Sequence, residues 1–325
     1  MYIQKNTYLR HFTTYQIGGP ADLFILAKSR NELKEAVLYA LDHNIPYFVL
    51  GAGANILVSD RGFRGLVIRN SYNDIHMNSY PTKEIRDPDT HELIETKEIH
   101  FLRAGSGAMI ERIIHFTRNR DFSGFEHFAG IPSTVGGALW QNLHFLNPER
   151  DKTLYIADIV HHAYSINTKT GQENFLFQND FKFGYDTSIL HQGNHIILDA
   201  VFSLQKSNFH DIGTRMRANL EWRKDRHPPV DLSPSCGSVF KKVLYQGELV
   251  AAAKLIDQAG LKGYSKNDAM VSNKHPNFIT NHGSAKADDI IHIIKHVRNV
   301  VFDTFGVLLE PEIRFVGEFN DLSFS

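Results

Sequence analysis

In SRNELKEAVLYALDHN (29–44), Leu33, Val37, Leu38 and Leu41 recur at helical spacing, which predicts an amphipathic helix capped by Ser29 or Asn31. The apolar run IPYFVL (45–50) predicts a buried strand, GAGAN (51–55) a glycine turn, and ILVSDRGFRG a strand and turn. These pieces together predict a small α/β unit at the N-terminus. The stretch from Asn70 to His100 is polar and broken by Asp and Pro, so it reads as an irregular hairpin insertion. Beyond it, MIERIIHFTRNR has the period of a short amphipathic helix, and GIPSTVGGALWQN (130–142) is too rich in glycine for one regular element. NHIILDAVFSLQ (194–205) alternates as a strand and would close this middle region.

A charged helix, HDIGTRMRANLEWRKDR, then runs into HPPVDLSPS, which has the composition of a linker. The last hundred residues predict a second α/β region. AAAKLIDQAG ends on Gly260 as a helix ends at C′. SAKADDIIHIIKHVRNVVFDTFG is a long amphipathic helix capped by Ser284, stopped by Gly306 and burying Ile290, Ile294, Val297 and Val301. VLLEPEIRFVG follows as a strand, with Ile313 and Phe315 on one face and Glu310, Glu312 and Arg314 on the other.

At 325 residues the chain is long enough for two or three domains. Its 35 Lys plus Arg against 36 Asp plus Glu leave a net charge of -1, so no global field points to nucleic acid and any anionic ligand needs a local cluster. The start lacks the apolar core of a signal peptide, and no stretch approaches the roughly 18 uninterrupted apolar residues of a membrane span. A single cysteine, Cys236, cannot form an internal disulfide, and the expected location is the cytosol.

A dinucleotide fingerprint at GAGAN would need glycine where Ile56 stands and a helix afterwards, so a Rossmann site is not expected. Gly51 and Gly53 still bring bare backbone N–H groups to the end of a strand, which suits a pyrophosphate bound without a helix; a plain glycine turn is the alternative. Gly130, Gly136 and Gly137 repeat the device beside the hydroxyls of Ser133 and Thr134. In SPSCGSVFKKV (233–243), no sequence signature pairs a histidine with Cys236, and no nucleophile elbow surrounds Ser238. Cys236 therefore reads as a packing residue, and Ser238 as a proton donor or a turn hydroxyl. Lys241 and Lys242 either grip phosphates or form a solvated face, and Glu312 after Pro311 is a general acid, an orienting carboxylate or a surface residue. His292 and His296 have i, i+4 ligand spacing without a completing carboxylate, so no metal is expected.

The ordered set TTYQIGGPADLF, VLGAGANILVSDRGFRG, GFEHFAGIPSTVGGALWQN, FGYDTSIL, PSCGSVFK, AAKLIDQAGLKG, VSNKHPNFITN and LEPEIRF resembles the UDP-N-acetylenolpyruvoylglucosamine reductases, from about Thr13 to Gly317. The resemblance implies an α+β protein with an FAD-binding fold of the vanillyl-alcohol oxidase (PCMH) type. Its two subdomains would span 1–69 and 70–206, and a C-terminal α/β substrate domain 207–325. It implies a cytoplasmic oxidoreductase of peptidoglycan synthesis. NADPH would reduce bound FAD, and the flavin would pass hydride to the enolpyruvyl ether of a UDP-sugar. Ser238 would be the proton donor, with Glu312 assisting. Gly51, Gly53, Ala54 and Asn55 would meet the FAD pyrophosphate, and Gly130, Ile131, Ser133, Gly136 and Gly137 the isoalloxazine side. Lys241, Lys242, Tyr185 and His275 would bind substrate. The spacing from FGYDTS to Ser238 matches the shorter form of the family, without its extra substrate loop.

The family motif FGYR carries a catalytic arginine, and here Asp186 holds that place. A carboxylate about 4 Å from an anionic substrate group would repel it by on the order of 1 to 4 kcal/mol. Gln16 also stands where arginine is common, and FKKV replaces FKNP, so Lys242 is expected to restore part of the lost charge. A flavin oxidoreductase for another substrate, and a flavin- or nucleotide-sugar-binding protein without turnover, are the competing readings.

Overall fold

The computed structural model of the chain describes residues 1–86, 90, 93–229, 232–320 and 322. The chain folds into two units, neither of them continuous in sequence. One comprises Met1, Leu26–Asn44 and Ile68–Glu221; the other comprises Tyr2–Ile25, Ile45–Val67 and Trp222–Ser325.

The first unit is built on an antiparallel sheet ordered Glu173–Phe177, Val160–Asn167, His195–Lys206, Leu93–Gly105, Ile75–Arg86. The expected irregular hairpin is an antiparallel pair, with Ile75 opposite Ala104 and Met77 opposite Leu102 and the register shifting between Tyr80 and Lys83 and between Ile85 and Arg86. Polar residues are compatible with one face of an antiparallel hairpin, so polarity alone did not exclude strands. The strand 195–206 is the last of this sheet in chain order, and it runs through the sheet interior, paired on both sides. The run Ile197–Phe202 is buried throughout, as a strand covered on both faces requires.

Helix α1 (Arg30–Asp42) starts where Ser29 accepts the Glu32 N–H, and it buries Leu33, Ala36, Val37 and Ala40. Arg30 Nε meets Asp199 Oδ2 at 2.8 Å, and Arg103 Nε meets Asp199 Oδ1 at 2.6 Å. Helix α2 (Ile110–Arg118) buries Ile110, Ile113 and Ile114. Helix α3 (Val135–Gln141) is capped by Thr134 and ends on Asn142, whose φ of 52° is left-handed. Helix α4 (Phe209–Arg226) follows the sheet, and its Arg215 reaches the buried Glu126 at 2.8 Å.

In the second unit, Ile56–Val58 pairs in parallel with Arg314–Val316, so the strand after GAGAN is joined to the last strand of the chain. Regular pairing at the end of the chain covers only 314–316, although Ile313 is buried as expected. Helix α5 (Ala252–Gln258) is followed by Gly260 at φ +70°, the C′ position expected. Helix α6 (Ala287–Phe305) buries Ile290, Ile294, Val297 and Val301 and stops at Gly306. Its start differs from expectation: Ser284 does not cap it. Asp289 Oδ2 reaches back to the Lys286 N–H, and Asp60 Oδ2 accepts from the Ala287 N–H. A carboxylate from a distant segment does the capping, which a local motif search does not reveal.

Candidate active site

Ser238 and Glu312 are brought together in the second unit by a short antiparallel bridge between Phe240 and Pro311. Pro311 has no N–H to give, and the bonds come from its neighbours. Glu312 N–H donates to Val239 O at 2.8 Å, and Lys241 N–H to Glu310 O at 3.0 Å. Both Ser238 and Glu312 are half-buried. The buried Asn277 holds the same segment: Nδ2 donates to Phe240 O at 2.9 Å, Oδ1 accepts the Phe240 N–H at 3.0 Å, and its carbonyl accepts from Val239 at 2.8 Å. Gly237 takes φ +84°, and a Cβ there would meet no described atom within 4 Å, so the chain turns beside open space just before Ser238.

Cys236 is buried against the fully enclosed Tyr15. Burial pushes its thiol up to about 12, the neighbouring Tyr15 hydroxyl opposes this, and the Glu312 carboxylate adds to the rise. The thiol therefore stays protonated at neutral pH and is no nucleophile. Lys241 Nζ is engaged by Glu310 Oε1 at 2.5 Å, while Lys242 is exposed.

The GAGAN loop lies in this same unit. Asn55 O accepts from the Arg314 N–H at 3.0 Å, two residues beyond Glu312, and Gly53 O accepts from the Thr14 N–H at 3.0 Å. Gly53 has φ +68°, and a Cβ would fall 2.2 Å from Phe12 O, so only glycine fits. Among the described residues, the N–H groups of Ala52, Gly53, Ala54 and Asn55 have no hydrogen-bond partner. Four unspent donors on bare backbone suit a pyrophosphate.

The second glycine loop belongs to the first unit. Gly130 N–H donates to Glu111 Oε2, Ile131 packs against the core, and Ser133 Oγ donates to Thr134 O. Gly136 N–H donates to Ser106 O at 2.8 Å, and a Cβ at Gly136 would lie 3.2 Å from that oxygen, so this glycine admits the neighbouring strand end. Gly137 N–H is spent on Thr134 Oγ1. Tyr185 and Asp186 form the tip of a turn between Gly184 and Thr187, with Tyr185 exposed and Asp186 buried at φ +53°. Asp186 Oδ1 lies 3.8 Å from His144 Nδ1.

His275 has neighbours the sequence reading missed. Its ring meets His227 and Phe278, at centroid distances of 5.3 and 4.8 Å. Burial and then the cations Arg223, Lys274 and Arg226, with His275, push His227 down to about 3. Burial likewise lowers His275. Two neutral imidazoles among cations favour an anion. The signal was the dense basic run WRKDRH, read only as a charged helix end. His292 and His296 frame Tyr264, and among the described residues no group of three or more His, Cys, Asp or Glu is placed for a metal.

Residues 21–163 match the family model for an FAD binding domain, and residues 228–316 that for the UDP-N-acetylenolpyruvoylglucosamine reductase C-terminal domain. The UDP-N-acetylenolpyruvoylglucosamine reductase of Lachnoclostridium phytofermentans is 34% identical across 96% of this chain and 92% of its own length. That of Caldanaerobacter subterraneus subsp. tengcongensis is 35% identical across 96% and 93%. The chain belongs to the UDP-N-acetylenolpyruvoylglucosamine reductase family. The crystal structure of the reductase from Thermus caldophilus superposes with a TM-score of 0.73 at 28% identity, covering 97% of this chain and all of that one. The fold is thus the α+β FAD-binding architecture expected from the motifs, with the family's C-terminal domain. No helix among the described residues is long and apolar enough to cross a membrane.

Proposed function

We propose that this chain reduces UDP-N-acetylglucosamine enolpyruvate to UDP-N-acetylmuramate in the cytoplasm, as a step of peptidoglycan synthesis, with NADPH as electron donor. FAD, when bound, would supply the two-electron chemistry between NADPH and one carbon of the enol ether. The observation that carries this reading is the bond from Glu312 N–H to Val239 O at 2.8 Å, which keeps Ser238 and Glu312 on adjoining segments. Hydride addition leaves enolate character on the neighbouring carbon. The Ser238 hydroxyl gives that carbon its proton, and Glu312 acts as the assisting carboxylate.

The free donors of Ala52 to Asn55, beside Gly51, are assigned to the FAD pyrophosphate, and the Gly130, Ile131, Ser133, Gly136 and Gly137 loop to the isoalloxazine side. The substrate phosphates are assigned to His275 with His227, Arg223 and Lys274, and to Lys242, with Tyr185 and Lys241 as further contacts. On this reading 1–69 and 70–206 serve the cofactor and 207–325 the substrate.

The test is NADPH consumption with and without the enolpyruvyl UDP-sugar, with the product analysed for the lactyl ether. Substrate-dependent oxidation with that product supports the reading; a flavin-loaded protein that NADPH reduces but the enolpyruvyl sugar does not reoxidise overturns it. Asp186 at the arginine position favours one other reading, the same redox chemistry on a different substrate. That reading requires another acceptor to reoxidise the flavin.

A further inference from the structure

A charged group enclosed in a protein is held by an opposite charge or by hydrogen bonds, because removing it from water is otherwise costly. The first unit keeps that rule at Asp199, which meets Arg30 at 2.8 Å and Arg103 at 2.6 Å, and at Glu126, which meets Arg215 at 2.8 Å. Arg69 breaks it. The residue is half-buried and its Nη1 is enclosed, yet among the described residues its guanidinium has no hydrogen bond, ion pair or ring contact. Burial alone lowers its basicity, with no carboxylate acting in the other direction. A guanidinium stays charged throughout the physiological pH range, so the group does not escape by losing its proton.

The backbone around it is fixed. Arg69 is the last residue but one of the strand Phe63–Asn70, between the fully buried Ile68 and Asn70, which is 5% exposed. Asn70 Nδ2 donates to Ser106 Oγ at 2.7 Å, and its Oδ1 accepts the Tyr72 N–H at 3.1 Å. The Ser71 N–H donates to Ala27 O at 2.7 Å. Side chains alternate along a strand, so Arg69 stands on the face opposite Asn70 and takes no part in these bonds. A planar set of uncommitted N–H donors on a fixed backbone is a preorganised receptor for an oxyanion, and a guanidinium matches two phosphate oxygens at once. Arg69 falls within residues 21–163, which match the FAD binding domain model, and outside 228–316.

We propose that Arg69 binds a phosphate of the flavin nucleotide, and that the flavin-free chain carries it as a destabilising, unpaired cation. The inference rests on FAD being the cofactor and not on which substrate the flavin reduces.

The test titrates FAD, and riboflavin, which has the same ring without phosphate, into the flavin-stripped full chain and follows the quenching of flavin fluorescence. Arg69→Met should weaken FAD by about 10- to 100-fold, as loss of a charge-assisted pair predicts, and leave riboflavin unchanged. Arg69→Lys should keep part of the affinity, and the difference between Arg69→Met and wild type should shrink as salt is raised. Thermal melting gives a second readout. Flavin-free Arg69→Met should melt at or above the wild type, because an unpaired enclosed cation is gone, while the same excess of FAD should raise its melting temperature less. If Arg69→Met fails to fold, Arg69→Gln takes its place. Equal weakening of FAD and riboflavin, or a flavin-free variant that melts lower with its FAD affinity intact, overturns the inference and leaves Arg69 a packing residue. A wild type that holds FAD but does not turn over the enolpyruvyl sugar overturns the proposed function alone.

Discussion

Asn277→Ala removes the clamp that holds the segment after Ser238. The Asn277 amide is 5% exposed, and its two bonds at 2.9 and 3.0 Å are the hydrogen bonds found for the Phe240 carbonyl and N–H. Phe240 is itself 2% exposed, so water reaches its backbone only if the strand moves. Each buried group left unpaired costs about 1–3 kcal/mol, so the pair amounts to about 2–6 kcal/mol, less whatever an entering water restores. A loss of about 3 kcal/mol in a unit of this size lowers the melting temperature by roughly 6–12 °C. Asn277→Asp keeps the acceptor but sets a carboxylate against the Phe240 carbonyl, and should do no better. The assays are thermal melting, followed by stopped-flow kinetics of each half-reaction. Flavin reduction by NADPH should persist, and reoxidation by the enolpyruvyl sugar should slow as Ser238 shifts. A variant that melts within about 2 °C of wild type and turns over normally would refute the clamp.

Asp199 is fully buried between Arg30 and Arg103, both partly exposed, so Asp199→Ala should cost about 3 kcal/mol by denaturant titration; an unchanged midpoint would show that the pairs carry no net stability. Cys236, with its thiol pushed up to about 12, should alkylate roughly a thousandfold more slowly than an ordinary thiol at pH 8, and rapid labelling of the folded protein would contradict this burial. His227, pushed down to about 3, is neutral when folded but takes a proton when unfolded below about 6.5. The stability it confers is therefore complete above about pH 6.5 and is lost as pH falls toward 3. His227→Gln should flatten that part of a melting-temperature profile, leaving the smaller share due to His275; an unchanged slope would count against the assignment.

Periodicity located the helices well, because α1, α2, α5 and α6 each bury one stripe and end on local signals such as Ser29, Gly260 and Gly306. It failed where partners come from far along the chain. The cap on α6 comes from Asp60, more than two hundred residues earlier in the chain. The motifs around Ser238, Glu312 and the two glycine loops stand out in the sequence because motif chemistry is local. Asn277 and His227 do not, since each acts through a neighbour that only the fold supplies.

The parallel pairing of Ile56–Val58 with Arg314–Val316 bears on synthesis of the chain. The unit containing Leu26–Asn44 and Ile68–Glu221 has nearly all its residues once Glu221 has emerged from the ribosome. In the other, Gln4–Tyr8 can pair with Pro20–Ala27 early, but Ile56–Val58 has no parallel partner until Arg314–Val316 is made. Through that interval the Ile56–Val58 edge is open, and nascent chains stalled shortly before Arg314 should be the ones that chaperones hold and proteases cut.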